Sequence, residues 1–425
     1  MQSQIVESVQ HAVTPGEVAD TYYQSVENTK VQAFASTTEN RFNVSIPAPA
    51  FGSSSTILFN PAEGLGDIVL TCTIPAPAGS LYTNWALPKS WLASSVESLA
   101  LRIGGSSLYY FSGDSVFVDT LLDCEDSGKR DAVVTLAGAE LTNLAAFGAE
   151  LNRTASIYIK LPFNSISALQ KPLPLPTDML TQPISILIQF KRADQVFFKT
   201  QNAADVANLP QSFSFAQMNF KQTHLTDQSK LLAHRMDMNK EAYSYGLRYF
   251  TNQPFRSNVT GALSSPAQIN VTGFRQGSIQ YMDIWAVKVS DIQASQSLKF
   301  TPITDVKLSV NGLIYYDSQK SSAQLWNLCN TKVSTAWNTT FLTQQAPPDG
   351  TAQAVPYAAQ FVRVPFAQTC EPDANSYELI TGLAIANSVV NLQLSLPSDD
   401  PYVITCVAHY NCALLFSRGD AQYVF

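Results

Sequence analysis

An internal repeat constrains the fold of this chain more than any other feature of its sequence. Residues 99–110 (LALRIGGSSLYY) resemble residues 306–316 (VKLSVNGLIYY), because each segment has an apolar run, a turn with glycine, and a second run ending in two tyrosines. Leu101 corresponds to Leu308 and Gly105 to Gly312, both at an offset of 207 residues. A repeat of this kind indicates that one structural unit occurs twice.

Three further pairs of segments follow in the same order along the chain. They are DTLLDC (119–124) with QLWNLC (324–329), IKLPF (159–163) with VRVPF (362–366), and FKRADQVFF (190–198) with FSRGDAQYVF (416–425). The first two pairs have offsets of 205 and 203 residues, whereas the third has an offset of 226 and predicts about twenty extra residues in the second copy. The repeat therefore predicts an N-terminal arm of residues 1–38, a first domain of residues 39–205 and a second domain of residues 206–425.

Short runs of β-branched and aromatic residues, bounded by Pro, Gly, Asn and Asp, predict β-strands throughout the chain. They are residues 67–74, 98–103, 156–161, 184–190, 278–289 and 402–409. Every second residue of 184–190 is Ile or Phe, which gives that strand one apolar face. Helical spacing is confined to residues 4–13, 139–151, 226–243 and 323–329. The chain is predicted to be all-β, with two tandem sandwiches and a few short helices in the connecting loops.

Turn residues predict where several of these strands end. Asn311-Gly312 is a dipeptide that two-residue hairpin turns strongly favour, because both residues tolerate positive φ. Gly105 has the corresponding position in the first copy and is predicted to take a positive φ as well. Pro162 and Pro365 cannot donate a hydrogen bond to a neighbouring strand, so each is predicted to mark the end of the strand before it.

The chain is long for a single core and carries few charges. One hydrophobic core stops growing at about 250–300 residues, so 425 residues favour two domains. Only 14% of the residues are charged and 45% are hydrophobic, which indicates that part of the surface is hidden in contacts between subunits. The net charge of -7, without a cluster of Lys and Arg, argues against recognition of nucleic acid.

Residues 1–35 lack an apolar run of the length that a signal peptide needs, and no run of 18 apolar residues predicts a transmembrane helix. We therefore expect maturation in a cytosolic type of compartment, with the five Asn-X-Ser/Thr sequons unglycosylated. The cysteines form no CxxC pair and are predicted to be buried free thiols. They are Cys72, Cys124, Cys329, Cys370, Cys406 and Cys412.

Residues of the types used in catalysis are present but form no recognised motif. The histidines share no metal-ligand spacing, and His409 is predicted to lie on the face of a sandwich. The four are His11, His224, His234 and His409. The sequence contains no GxSxG, P-loop or GxGxxG motif. The acidic candidates for a pair of catalytic carboxylates are residues 123–126, Asp114, Asp399 and Asp400, all in predicted loops where solvated carboxylates are expected.

Two other motifs have a structural explanation. Residues 418–420 spell the integrin-binding tripeptide RGD, but residues 191–194 (KRAD) match them in the first copy, so a structural hairpin is predicted. The tyrosine pairs 109–110 and 315–316 could stack on sugars, but their recurrence predicts packing at a sheet edge or between sandwiches. No catalytic, cofactor-binding or metal-binding residue is predicted, and the chain is not expected to be an enzyme.

Taken together, these features resemble the double jelly-roll major capsid proteins of tailless icosahedral double-stranded DNA viruses. That family includes adenovirus hexon and the shell proteins of virophages and membrane-containing phages. The likeness rests on SLALRIGGSSLYY (98–110), FTPITDVKLSVNGLIYY (300–316) and VAHYNCALLFSRGDAQYVF (407–425), and the pattern covers residues 38–425. Because the chain is shorter than hexon, tall loop towers are not expected.

The resemblance implies two tandem eight-stranded jelly rolls and a homotrimer that forms a pseudo-hexagonal capsomer of a virion shell. The implied partners are other copies of the chain, neighbouring capsomers, minor capsid or vertex proteins, and an internal membrane beneath the shell; no cofactor is implied. The arm of residues 1–38 would lie beneath the capsomer, with a frayed terminus as the alternative.

Two other functions stay open on the sequence. A carbohydrate-active enzyme of two jelly rolls, or a lectin, would need a concave acidic or aromatic cleft. A minor virion component, such as a vertex or spike protein, would share the fold and differ in its copy number.

Overall fold

A computed structural model describes most of both predicted domains. The described residues are 37–78, 84–124, 127–161, 163–164, 174–199, 209–226, 232, 247–262, 267–272, 274, 278–319, 342–344, 357–366, 383–384, 388–397, 400–417 and 420–424. The helices predicted at residues 4–13 and 323–329, nearly all of the one predicted at 226–243, and the arm up to residue 36 lie outside this part of the chain.

The first half of the chain forms a sandwich of two four-stranded antiparallel sheets. The strands in this half of the chain are β1 (Thr37–Ser45), β2 (Ser54–Leu58), β3 (Gly64–Thr73), β4 (Trp85–Ala86), β5 (Val96–Ile103), β6 (Ser106–Phe111), β7 (Thr154–Ile159), β8 (Phe163–Asn164), β9 (Ile184–Phe190), β10 (Phe198–Lys199) and β11 (Phe215–Leu225). The short strands β4 and β10 pair with each other outside the two main sheets, and β8 pairs with a strand of the second half. One sheet has the order β1-β11-β3-β7 and the other the order β2-β9-β5-β6.

The second half forms a sandwich of the same kind. Its strands are β12 (Leu247–Ala262), β13 (Ala267–Val271), β14 (Ser278–Lys288), β15 (Asp305–Val310), β16 (Leu313–Asp317), β17 (Leu342–Gln344), β18 (Tyr357–Ala359), β19 (Phe361–Pro365), β20 (Leu383–Ala384), β21 (Val390–Ser395), β22 (Pro401–Ser417) and β23 (Asp420–Val424). Its sheets have the orders β12-β22-β14-β19 and β13-β21-β15-β16, with β8, β20 and β23 added to the first of them.

The two sandwiches match strand for strand. The eight strands β1, β2, β3, β5, β6, β7, β9 and β11 correspond in chain order to β12, β13, β14, β15, β16, β19, β21 and β22, and the sheet orders are the same. This pairing, in which the first strand lies beside the last, is that of a jelly roll. The predicted fold class, all-β with two tandem jelly rolls, is confirmed, and so are the matches of the β5–β6 hairpin with β15–β16 and of β7 with β19.

The match between residues 190–198 and 416–425 is wrong. Residues 190–198 follow β9, whose counterpart is β21, whereas residues 416–425 contain the end of β22 and the strand β23. In the sheet registers Leu101 pairs with Ile186 and Leu308 with Leu392, so the offset at this strand is 206 residues. The twenty-residue insertion therefore disappears. Both segments place a charged turn after an aromatic strand end, which is enough to produce the similarity by chance.

Strand β11 bears on the predicted boundary between residues 205 and 206. It is hydrogen-bonded between β1 and β3 and so belongs to the first sandwich. The polar stretch before β11 has the composition of a linker but precedes the last strand of the first sandwich. We propose that the domains divide between β11 and β12.

Apolar side chains fill the interior of each sandwich. The strand β9 shows the predicted alternation, because Ile184, Ile186, Ile188 and Phe190 are all buried while Gln189 is exposed. In the second sandwich the inward residues of β15 pack against those of β21. The strands β2, β15 and β21 alternate between buried and more exposed residues, which gives each of them one apolar face.

Short helices connect the strands. They are α1 (Trp91–Ser95), α2 (Gly113–Asp123), α3 (Ser127–Leu136), α4 (Glu150–Arg153), α5 (Ala193–Val196) and α6 (Val289–Gln293), with 3-10 helices at Leu144–Phe147 and Thr177–Met179. The helix predicted at residues 139–151 is confirmed only in the first 3-10 helix and the start of α4. The helix α2 was not predicted; Ser112 and Ser115 form a capping box at its start, and its apolar side is buried.

The turns of the β5–β6 and β15–β16 hairpins place their positive φ angles at different positions. Asn311 and Gly312 have φ of 49° and 85°, as a two-residue type I′ turn requires. In the first sandwich the positive φ, 56°, belongs to Gly104, and Gly105 lies outside the left-handed region, contrary to the prediction. Pro365 ends β19 as predicted, whereas Pro162 lies outside the described residues.

We expect Gly312→Val to destabilise the folded protein by about 1–3 kcal/mol, because a β-branched residue is strained at this φ. Gly105→Val is the matched control. A side chain at either position meets nothing within 4 Å, so only the backbone conformation separates the two variants. The measurement is urea unfolding followed by circular dichroism, and equal losses in the two variants would contradict the turn assignment.

Candidate functional site

Three charged or polar side chains are buried side by side on the outer face of the sheet β12-β22-β14-β19. Arg363 of β19 is the register partner of Asp283 of β14, and its Nε and Nη2 donate to the two carboxylate oxygens at 2.6 and 2.8 Å. His409 of β22 places Nε2 3.0 Å from Asp283 Oδ2. Their exposed fractions are 2% for Asp283, 5% for Arg363 and 6% for His409. Asp283 is therefore held by two neighbours in the absence of solvent.

Tyr281, two residues before Asp283 on the same face of β14, fixes the orientation of both neighbours. The guanidinium of Arg363 lies 4.0 Å from the centre of the tyrosine ring, and the His409 ring stacks on it at 4.3 Å between centroids. A guanidinium over an aromatic face is attracted by the ring electrons. The tyrosine thus restricts both planar groups to orientations in which they meet Asp283.

The first sandwich contributes a fourth member of this charge cluster, Asp119 of α2. Its Oδ1 accepts a hydrogen bond of 2.8 Å from Nη2 of Arg363. Helix α2 can be placed there because Gly113 begins it without a side chain. A Cβ at Gly113 would lie 2.2 Å from the carbonyl oxygen of Ala93. Arg363 therefore joins the two sandwiches by bonding a carboxylate from each.

The cluster is arranged so that its central pair stays charged. Burial opposes the ionisation of Asp283, but the positive charge and hydrogen bonds of Arg363, with the hydrogen bond from His409, outweigh it and lower the pKa of Asp283 to about 2. Burial likewise opposes the charge on Arg363, and the carboxylate of Asp283 raises the pKa of Arg363 well above its usual value. Each group makes the other's charge favourable.

Asp119, Asp283 and His409 also have the spacing of a metal-binding group, since one ligand atom from each lies within 4.8 Å of the others. However, Nη2 of Arg363 already lies 2.8 Å from an oxygen of both carboxylates and supplies the positive charge between them. A metal ion would have to displace a buried guanidinium. We therefore assign the cluster a structural role.

Apolar residues surround the charge cluster and extend the contact between the sandwiches. Outward-facing residues of the second sandwich belong to the same apolar cluster as the core of the first sandwich; they are Trp285, Val287, Phe361, Val407 and Leu414. Phe300, in the connection after α6, contacts the rings of Trp285 and Phe361 at 6.4 and 5.8 Å between centroids. The site is thus the interface between the two halves of the chain.

Two of the four histidine candidates lie in the described part of the chain, one in each sandwich. His409 lies on the face of a sandwich, as predicted, and His224 of β11 has Nδ1 2.9 Å from Glu63 Oε2. His11 and His234 lie outside the described residues.

Among the described acidic candidates, Asp114 and Asp123 belong to the first half of the chain and Asp400 immediately precedes β22 in the second. Asp114 and Asp123 lie near opposite ends of α2, so their assignment to loops was wrong, and Asp400 forms an ion pair of 2.6 Å with Lys288. Asp399 and residues 125–126 lie outside the described residues.

The remaining motifs fall on sheet edges and in cores. The tyrosine pairs lie on β6 and β16, which are edge strands of their sheets. This agrees with the predicted position at a sheet edge. Cys72 and Cys406 are buried free thiols as predicted, and burial raises the pKa of Cys406 to about 12. Cys124 is half-buried, and the side chains of the other three cysteines lie outside the described residues. The RGD segment has no counterpart in residues 191–194, because different strands precede the two.

The sequence analysis missed Asp119, Asp283 and Arg363. A usable signal was present in residues 278–289, where Asp283 interrupts a nearly continuous apolar run. Such a run is typical of a strand buried on both faces, and a charge inside it needs a partner. Arg363 stands in a similar apolar setting, FVRVPF.

Solved structures similar to this one are viral capsid proteins. The chain matches a quasi-atomic model of the PBCV-1 virus capsid with a TM-score of 0.58 and 12% identity, over 92% of this chain and 97% of that chain. It matches the Faustovirus major capsid protein with a TM-score of 0.58 and 8% identity, over 98% and 97%. The mavirus major capsid protein gives a TM-score of 0.50 and 10% identity, over 91% and 90%.

Its fold is that of viral major capsid proteins. The sequence itself matches no protein-family model and no curated protein, so the likeness rests on the capsid fold. The two matched jelly rolls make up that fold, as the sequence resemblance implied. In the described part of the chain, no helix has the length and apolar character needed to cross a membrane.

Proposed function

We propose that this chain is a structural subunit of an icosahedral viral shell. The proposal depends on the extent of the match, since the superposition covers 92–98% of this chain and 97% of the PBCV-1 and Faustovirus capsid proteins. Both jelly rolls are therefore included. The charge cluster between them supports a mechanical role, because it joins the halves and keeps Asp283 and Arg363 buried.

The subunit that we propose acts as a homotrimer whose six jelly rolls form a pseudo-hexagonal capsomer in the virion. The shortage of charge, 14% of residues, supports extensive contacts between copies. Neighbouring capsomers, minor capsid or vertex proteins and an internal membrane are the further partners that we propose. Many weak identical contacts would close the shell by symmetry.

Light scattering after size-exclusion chromatography tests the trimer directly. The expected mass is three times the chain mass of 46.4 kDa, or about 139 kDa. A protein that is monomeric at every concentration tested would contradict the proposal. Electron micrographs of assembled material should then show shells or capsomers of hexagonal outline.

The alternative functions give different results. A glycan-binding array and a glycosidase screen should both be negative for a shell subunit, and a positive signal would favour the carbohydrate-active alternative. A minor vertex or spike protein would be present in a few copies per particle, whereas the proposed role requires it to be the most abundant virion protein.

A further inference from the structure

A cavity lies in the first sandwich between short helices and the edge strand β7. Helices α1, α2 and α3 all pack against β7. The space between them, counted with its opening to solvent, is about 370 Å³. That is near the lower end of the range for small-molecule sites, about 300–1,000 Å³. Helix α2 lines the cavity along one side, through Gly113, Val116, Phe117 and Thr120. We call this space the helix cavity.

The walls of the helix cavity are apolar. Val116 and Phe117 of α2 and Ile157 of β7 are buried beside it. Two further lining residues, Leu136 of α3 and Tyr158 of β7, are 61% and 39% exposed, which places them at the opening. Large apolar side chains are therefore in contact with water where the cavity meets the surface. An apolar molecule that entered would remove part of that contact, which is favourable.

The hydroxyl groups that line the helix cavity already have hydrogen-bond partners. Thr120 Oγ1 donates to the carbonyl oxygen of Val116 at 2.7 Å, and Ser156 Oγ lies 2.8 Å from Thr71 Oγ1 on β3. The described residues that line the cavity include no charged side chain. A water molecule inside a protein needs two to four polar partners. The lining side chains therefore offer little to water, and little to a charged ligand.

The helix cavity persists because α2 is fixed at two points. At the start of α2, a Cβ on Gly113 would lie 2.2 Å from the carbonyl oxygen of Ala93, so α2 and α1 are already as close as their backbones allow. Further along α2, Asp119 is bonded to Arg363 of the second sandwich at 2.8 Å. Ala93 and Ala137 line the cavity and are too small to fill it. A void that its surroundings cannot close forgoes dispersion contacts, which a ligand can supply.

We propose that the helix cavity binds a small uncharged apolar molecule, of the size of one aromatic ring or a short hydrocarbon chain. The bound molecule contacts α2, α3 and β7 at once. It therefore holds α2 in the position from which Asp119 reaches Arg363, although it touches neither residue. This site goes beyond the proposed function, because it gives an apolar molecule a way to strengthen the contact between the sandwiches.

Benzene is the probe for the site, and benzoate, the same ring with a charged group, is the matched control. Benzene at about five times its Kd should lower the unfolding equilibrium constant about sixfold and raise Tm by about 2–4 °C. Benzoate at the same concentration should leave Tm unchanged, because its carboxylate would lose water without gaining a partner. Calorimetry of the full-length protein measures both. Equal shifts with the two ligands, or no shift with benzene up to its solubility limit, would overturn the proposal.

Val133→Phe places a ring in the helix cavity, and Val134→Phe is its matched control. Both valines are half-buried residues of α3 that pack against the core, but only Val133 lines the cavity. We expect Val133→Phe to lose the rise in Tm with benzene and Val134→Phe to keep it, with circular dichroism as the check on folding. A Val133→Phe protein that responds to benzene as the unaltered protein does would exclude the cavity as the site.

Hydrogen exchange locates the site in the unaltered protein, without any substitution. With benzene bound, the backbone amides of α2 and α3 should exchange at least about threefold more slowly, because opening of these helices then requires loss of the ligand. Protection confined to the second sandwich, or none in α2 and α3, would contradict the proposal. Because the cavity belongs to a single chain, this result does not depend on whether the subunits form a trimer.

Discussion

Replacing Arg363 with methionine should destabilise the folded protein by about 3–5 kcal/mol, the range seen when one partner of a buried ion pair is removed. Asp283 would stay buried without its guanidinium partner, and the bond from Asp119 to the second sandwich would be lost. Chemical unfolding at pH 7 measures the effect. Because Arg363 bonds a carboxylate in each sandwich, we expect its replacement to lower the free energy of unfolding more than the replacement of any other single charged residue described here.

Arg192→Met is the matched control, because Arg192 pairs with Asp194 at the surface and its side chain is 70% exposed. Exposed ion pairs contribute about 0–1 kcal/mol. A loss in Arg363→Met as small as that in Arg192→Met would contradict the structural role of the charge cluster.

The same pair should give the protein an acid-sensitive component of stability. The pKa of Asp283 is lowered to about 2 in the folded protein, whereas an unfolded aspartate titrates near about 3.9. The contribution of ionised Asp283 to the free energy of unfolding is therefore complete above about pH 4 and is lost as the pH falls towards 2. In Arg363→Met the carboxyl of Asp283 stays buried without its cation, so it is easier to protonate than the carboxyl of an unfolded aspartate. The difference in free energy of unfolding between the unaltered protein and Arg363→Met should therefore become smaller as the pH is lowered. A difference that stays constant from pH 7 to 3 would contradict this assignment.

Gly113→Ala should destabilise the protein by about 3 kcal/mol or more, at the upper end of what overpacking costs. The added Cβ would lie 2.2 Å from the carbonyl oxygen of Ala93 and 2.5 Å from that of Val96, and backbone atoms cannot rotate away as a side chain can. Helix α2 would have to shift, and Asp119 would move away from Arg363. Thermal unfolding and hydrogen exchange in α2 measure the effect.

Gly66→Ala is the control for this substitution. A Cβ at Gly66 meets only the flexible side chain of Lys221, at an ordinary contact distance of 3.6 Å. We expect its stability to change by less than about 1 kcal/mol. Similar losses in the two variants would show that the close approach of α2 to α1 is not the cause.

Local signals in the sequence predicted the parts of the fold that depend on neighbouring residues. The Asn311-Gly312 turn and the alternating strand at residues 184–190 follow from backbone conformation and side-chain period, and the repeat gave the number of sandwiches. The last repeat match failed because it compared strand ends without the pairing that distinguishes β9 from β22. Sheet order depends on contacts far apart in sequence, which spacing alone does not reveal.

The contact between the sandwiches was beyond the reach of the sequence for the same reason. Asp119 and Arg363 are 244 residues apart in the sequence. The residues around each of them contain no local pattern that indicates a hydrogen bond between the two. What the sequence did show was the low share of charged residues, which indicated hidden surface. Part of that hidden surface is the interface within the chain.

The interface between the two sandwiches also bears on how the chain folds during its synthesis. The first jelly roll is complete once β11 has been made, and the outward side of its sheet β1-β11-β3-β7 carries polar residues such as Thr71, Ser156 and Asn219, which are compatible with water while translation continues. The second jelly roll cannot close before β22, and Trp285 and Val287 then find a finished surface to pack against. We therefore expect the N-terminal copy to fold first and the C-terminal copy to complete its packing against it.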